Sequence, residues 1–124
     1  MIGYVTVGSS DLARARAFYD KVLGELGGKH LFTNDRMVGW AGNGQMFMAC
    51  TPYDKNDPQP GNGVMVALAG SSKDHVAKVW QTALDAGGTD EGAPGFRTDN
   101  FYGAYFRDPD GNKFAVFTMA SKDA

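Results

Sequence analysis

The chain has 124 residues, 43% hydrophobic and 12% aromatic, with a formal net charge of −2. That length supports one domain, about residues 1–124, with a core of its own. The interspersed charges offer no basic stripe for nucleic acid or an anionic membrane, and a single cysteine, Cys50, excludes an internal disulfide framework. With no long apolar segment, leader pattern or lipidation motif, a cytoplasmic protein is expected.

The apolar run Val5-Thr6-Val7 predicts a first strand, and Gly8-Ser9-Ser10 a turn with a serine to cap the following helix. Leu12, Ala15, Tyr19, Val22, Leu23 and Leu26 then recur at helical spacing, and Gly27-Gly28 ends the helix. Three strands are predicted next, over Lys29–Thr33, Met37–Ala41 and Gln45–Thr51. Pro52–Gly63, rich in Pro, Asp, Asn and Gly, reads as a linker.

The pattern then repeats. Val66–Ala69 predicts a strand, Gly70-Ser71-Ser72 a second serine turn, and Val76, Val79, Trp80, Ala83 and Leu84 the apolar stripe of a helix closed by Gly87-Gly88. An irregular stretch Thr89–Phe96 precedes two strands, Phe101–Arg107 and Lys113–Met119. Between these two strands lies Asp108-Pro109-Asp110-Gly111-Asn112. Pro109 fixes an early turn dihedral, Asp108 can bond the local backbone, and Gly111 accepts positive φ.

Each half therefore reads as strand, helix and three strands. The module boundaries are about 1–56 and 62–120, with the linker at about 52–63. The Asp11-Leu12 and Phe18-Tyr19 pairs, Ala86-Gly87-Gly88, Gly92–Arg97 and the Asp108–Asn112 turn, in this order, resemble the vicinal oxygen chelate superfamily. That superfamily includes glyoxalases, bleomycin-resistance proteins and extradiol dioxygenases. The resemblance implies an α+β fold of two βαβββ modules, with curled mixed sheets around a concave cleft. It also implies a homodimer.

Metal-using members of the superfamily draw ligands from four strand positions. Transferred residue by residue, these positions fall on Tyr4, seven residues before Asp11, on Met48, on Met65, and on Ala115, four residues after Gly111. Phenol, two thioethers and a methyl group are a poor set for a hard divalent cation. His30, His75, Glu25 and Glu91 fall on none of these positions. No metal ligand and no cofactor are expected; a divalent metal would enter only if this mapping is wrong.

Tyr4, Trp40, Met48, Met65 and Tyr105 are candidate inward positions of an aromatic pocket, with Phe96, Phe101 and Tyr102 at its rim. The competing reading makes these side chains ordinary core. Arg97 could clamp a carboxylate, or could pair with Asp90 or Asp99 to fix its loop. The expected ligand-binding set is thus Tyr4, Trp40, Met48, Met65, Arg97, Phe101, Tyr105 and Ala115. Cys50 has no basic neighbour in sequence and reads as a small buried hydrophobe.

The leading functional expectation is a metal-free binder of a small organic ligand. The alternative is a lyase, isomerase or dioxygenase-like enzyme with a non-standard metal site, or with metal-independent acid/base chemistry by Tyr4 and Arg97. No nucleic-acid or membrane partner is expected.

Overall fold

A computed structural model describes residues 1–123. Helix α1 (Leu12–Gly24) starts where the Asp11 carboxylate accepts the Arg14 backbone N–H. The expected serine cap is thus displaced by one or two residues: Ser9 instead exchanges hydrogen bonds with the Asp11 backbone. Helix α2 (Lys73–Asp85) is capped by a serine as expected, through Ser72 accepting from the His75 N–H. Both helices end at the double glycines, and Gly27 and Gly87 hold positive φ of 83° and 108°.

The described residues also form eight strands: β1 (Tyr4–Gly8), β2 (Lys29–Thr33), β3 (Met37–Gly42), β4 (Gln45–Cys50), β5 (Val66–Ala69), β6 (Thr89–Phe96), β7 (Phe101–Arg107) and β8 (Lys113–Met119). They form two four-stranded sheets, in the orders β1-β4-β3-β2 and β5-β8-β7-β6. Each sheet has one parallel pair, β1 with β4 and β5 with β8, and is otherwise antiparallel. The two halves are copies of one topology. The sheets are not joined into a barrel, and β1 and β5 are both edge strands.

The helices cover one face of each sheet, and the core lies there. Alternation along the strands sends Val38, Trp40, Phe47 and Ala49 of the first sheet, and Ala104, Phe106, Phe114 and Val116 of the second, against α1 and α2. The apolar face of α1 includes Phe18 in addition to the expected stripe; its ring lies 6.3 Å from Phe106. Tyr19 touches rings of both halves, with centroids at 4.9 Å from Phe47, 5.3 Å from Trp40 and 5.8 Å from Phe114. One core therefore runs through both modules. Each fully buried large side chain in it contributes about 1.5–3 kcal/mol relative to exposure.

Polar contacts also tie the halves together. The buried Asp108 carboxylate accepts from the Asp110 and Asn112 backbone N–H groups at 2.9 and 2.8 Å, from Asn112 Nδ2 at 2.8 Å, and from the Tyr19 hydroxyl. Asn112 Nδ2 also donates to the Gly8 carbonyl at 2.9 Å. Next to it, Asp110 accepts from the Ser10 N–H, the Ser10 hydroxyl and Arg14 Nη2, each at 2.9 Å. The last hairpin turn of the second half thus grips the start of the first helix. The linker passes nearby: a Cβ on Gly8 would stand 2.7 Å from Pro58 Cβ, so only glycine fits beneath it.

The open face and its candidate site

The sheet face away from the helices carries Tyr4, Met48 and Ala115, three of the positions to which the superfamily's metal ligands map. Because Val5 and Val7 pack toward the core, Tyr4 and Thr6 turn to the open face. On β4, Met46, Met48 and Cys50 do likewise, since Phe47 and Ala49 are core. In the second sheet Ala67 and Ala69 of β5, Lys113, Ala115 and Phe117 of β8, and Phe101, Gly103, Tyr105 and Arg107 of β7 share this face.

A cavity of about 710 Å³ opens between the starts of β1 and β4 and the β5 edge. Tyr4, Met46, Met65, Ala67 and Phe117 are among the residues lining it, with the end of α1 behind them. Tyr4 (58% exposed), Met65 (44%) and Met46 (37%) present large apolar surfaces to solvent there. The fold thus brings Tyr4 and Met65, one from each half, to a single cavity. Met48 lies one row away, beside Thr6, and is buried. Ala115 is paired with Ala67 and Tyr105 and is closed off from solvent.

Trp40 does not stand on the open face. Its ring packs on Tyr19 and Phe47, and its Nε1–H donates to Asp20 of α1 at 2.8 Å, although Trp40 is among the residues lining the cavity from the helix side. Alternation explains the difference, because Gly39 and Ala41 take the open side of β3. Phe96 and Tyr102 also leave the expected rim. They stack edge to face at 5.1 Å on the helix side, with the Lys73 ammonium 5.5 Å from the Phe96 centroid. Phe101 is on the open face, stacked at 5.3 Å and 6° on Phe117.

Arg97 forms no ion pair with Asp90 or Asp99. Asp90 instead accepts from the Gly92 N–H at 2.8 Å and from Trp80 Nε1 at 3.3 Å. The guanidinium crosses β6, where Cβ atoms on Gly92 and Gly95 would stand 3.1 and 3.0 Å from its nitrogens. It donates to the Ala93 carbonyl at 2.6 Å, and its Cζ lies 5.2 Å from the Tyr105 ring centroid. Lys113, which the sequence reading passed over, places its Nζ 5.6 Å from the same ring. The signal was present in the alternation that puts Lys113, Ala115 and Phe117 on one face.

The donor set does not fit a hard divalent cation. The four superfamily ligand positions supply a phenol, two thioethers and a methyl group, and among the described residues no three His, Cys, Asp or Glu side chains cluster as a metal site. Both histidines have other partners. His30 Nε2 meets the Thr33 hydroxyl, and His75 Nδ1 accepts the Ser71 N–H while its Nε2 donates to the Glu25 carbonyl, bracing α2 on α1. Cys50 is half-buried at a second cavity of about 380 Å³ beside Asp54, Asp57 and Pro58. Among the described residues no helix is long and apolar enough to cross a membrane.

Comparison with known proteins agrees with this architecture. A glyoxalase/bleomycin resistance protein from Albidiferax ferrireducens T118 superposes with a TM-score of 0.90 at 34% identity, over 96% of this chain and 98% of that one. A glyoxalase/bleomycin resistance protein/dioxygenase family enzyme from Burkholderia phytofirmans PsJN gives 0.79 at 20% identity, over 94% and 97%. A lactoylglutathione lyase from Agrobacterium tumefaciens gives 0.70 at 20% identity, over 95% and 92%. The last two likenesses speak to fold alone. A comparison with curated proteins returned no match. The profile of the glyoxalase/bleomycin resistance protein/dioxygenase superfamily matches residues 1–116, and the chain belongs to that superfamily.

Proposed function

We propose that this chain binds a small organic ligand on its open face, without a resident metal, in the cavity bordered by Tyr4 and Met65. The observation that carries this reading is the replacement of all four superfamily ligand positions by Tyr4, Met48, Met65 and Ala115, two of which border an apolar cavity. Its volume, about 710 Å³, falls within the range of small-molecule pockets. Its lining is mainly aliphatic and aromatic, with the Tyr4 hydroxyl as a polar handle.

A second copy of the chain completes the cavity wall in this reading. Edge strands β1 and β5 are unpaired on their outer sides, and Ile2, Tyr4, Met46, Val64 and Met65 are exposed around them. The accessible surface, 7171 Å², exceeds the roughly 6,500 Å² expected for a folded monomer of 13.3 kDa.

The test is elemental analysis of tag-free protein after incubation with Ni²⁺, Zn²⁺, Fe²⁺ and Mn²⁺ and dialysis, followed by a fragment screen read by NMR. Retention of one ion per chain refutes the metal-free reading. Fragments that shift resonances of Tyr4, Met46 and Met65 support the ligand site.

A metal-independent enzyme is the second reading, favoured by the exposed Tyr4 phenol at the cavity. Arg97, the other acid/base candidate, follows the end of β6 and lies beside Tyr105, outside the residues lining that cavity. If a turnover assay is found, unchanged rates in Tyr4→Phe reject that role for Tyr4.

A further inference from the structure

The second sheet carries a feature that ligand binding in the cavity does not explain. Its open face is laid out in rows across the strands. One row runs Gly92, Tyr105, Ala115, Ala67; the next runs Gly95, Gly103, Phe117, Ala69. Glycine and alanine form the floor, and only Tyr105 and Phe117 rise from it, with Phe101 stacked on Phe117 from the adjoining row. At one end of this aromatic strip two cations converge on one ring. Arg97 approaches Tyr105 from the β6 side, at 5.2 Å, and Lys113 from β8, at 5.6 Å. Both distances are within cation–π range.

Neither cation has a carboxylate partner among the described residues, whereas Arg107, on the same face, is bound to Glu91. The contrast is specific. Arg107 has its charge answered, while its row neighbour Lys113 does not. Arg97 is also held in position rather than free to sweep. Glycines at 92 and 95 let its guanidinium cross the strand, and the Ala93 carbonyl occupies one of its donors at 2.6 Å. Its other N–H groups and the Lys113 ammonium remain for a ligand. Converging like charges on a partly desolvated aromatic face favour an anion between them, and a fork of parallel donors matches a carboxylate.

We propose that Arg97, Lys113 and Tyr105 form an anion subsite for a small aromatic carboxylate, whose ring lies along the Phe101–Phe117 strip. This goes beyond the ligand-binding reading above: the strip meets the Tyr4–Met65 cavity only at Ala67, Ala69 and Phe117. The carboxylate sits at the cationic end, and the flat apolar portion lies against the half-buried Phe101 and Phe117 rings. The stacked phenylalanines offer a planar face, which favours an aromatic ring over a branched aliphatic group.

The experiment is a binding series on the intact chain, by calorimetry and by NMR of the Gly92, Gly95 and Gly103 amides. The probes are benzoate, 3-phenylpropionate and 1-naphthoate, their primary amides, and inorganic phosphate. The expected result is that the acids shift those amides and the neutral amides bind at least tenfold more weakly. Arg97→Gln and Lys113→Gln should each weaken the acids by about tenfold while leaving the amides unchanged. Acid affinity should also fall with added salt. Equal binding of acids and amides, unaffected by either substitution, overturns the anion subsite but leaves the ligand-binding reading intact. Phosphate binding as tightly as the aromatic acids overturns the aromatic carboxylate. No shift anywhere on the open face with any probe or with the fragment screen overturns both.

Discussion

The hydroxyl of Tyr19, in the first helix, donates to the carboxylate of Asp108, 89 residues away in the last hairpin turn. Burial pushes the Tyr19 phenol well above its ordinary range, and the Asp108 charge and hydrogen bond push it further, with a smaller push from Asp110. The proton is therefore held more tightly in the folded chain than in the unfolded one. Such a group stabilises the fold at pH values below its unfolded pKa, about 10, and loses that contribution as pH rises past it.

Tyr19→Phe keeps the ring contacts and removes the donor. It should cost about 2 kcal/mol at neutral pH, the scale of a buried hydrogen bond to a charged group. Urea unfolding of both proteins should show the gap narrowing as pH rises above about 10, because only the parent has a phenol at position 19 to ionise when unfolded. A gap constant with pH would mean the hydroxyl is not held as described.

Asp110 gives the opposite slope. Burial pushes its carboxyl up, but the Ser10 N–H, the Ser10 hydroxyl and the Arg14 guanidinium together bring it below its ordinary value. A carboxylate so placed stabilises the fold above its unfolded pKa, about 3.9, and that contribution fades as pH falls through its lower folded value. Arg14 is 45% exposed, so solvent screens the pair, and Asp110→Asn should cost about 1 kcal/mol or less at pH 7. The difference should shrink toward zero below about pH 4 in acid-unfolding curves.

The repeat, the element order and this turn were legible because they depend on local chemistry: alternation, helical spacing, double glycines, and a proline and glycine fixing a hairpin. The faces were less legible. Trp40 and Phe96 are aromatic strand residues like Tyr105, and composition alone does not say which side of a sheet each takes. The strand register decides it, and each side chain then finds a partner on the helix side. Asp20 receives the Trp40 indole, and Tyr102 receives Phe96. Asp11 displaced the serines as cap for a related reason: three adjacent residues can all cap, and Ser10 is held by Asp110 from the other half of the chain. Lys113 was missed because a lysine next to a turn is ordinarily solvated surface. Its approach to Tyr105 emerges only from the β7–β8 register.

Ala115 tests whether a metal position could be rebuilt by a single change. It is 0% exposed, walled by Tyr105 and Ala67 on the neighbouring strands. Ala115→Glu would force a carboxylate into a closed space that now holds only a methyl group, and should cost about 2–5 kcal/mol. Calorimetric melting should register a large drop. Added Zn²⁺ or Ni²⁺ should not recover it, because Tyr4, Met48 and Met65 supply no hard ligand beside it. Recovery of the melting temperature on adding metal would show that the site still assembles.

The proposed dimer makes a separate, concentration-dependent prediction. Met46 and Met65 line the cavity and are 37% and 44% exposed, so a charge at either position perturbs little within one chain. Met65→Lys should therefore change the unfolding midpoint of a dilute sample by less than the equivalent of about 0.5 kcal/mol, as for an ordinary surface substitution. In a dimer covering that edge, two such lysines would be carried into an apolar interface, where an unpaired charge costs several kcal/mol. Light scattering behind a sizing column should then give a dimer mass for the parent and a monomer mass for the variant. Ligand shifts at Tyr4 should weaken in parallel, because the wall supplied by the second copy is gone. A parent that runs as a monomer at every concentration would remove the partner from the cavity and leave Tyr4 and Met65 to bind alone.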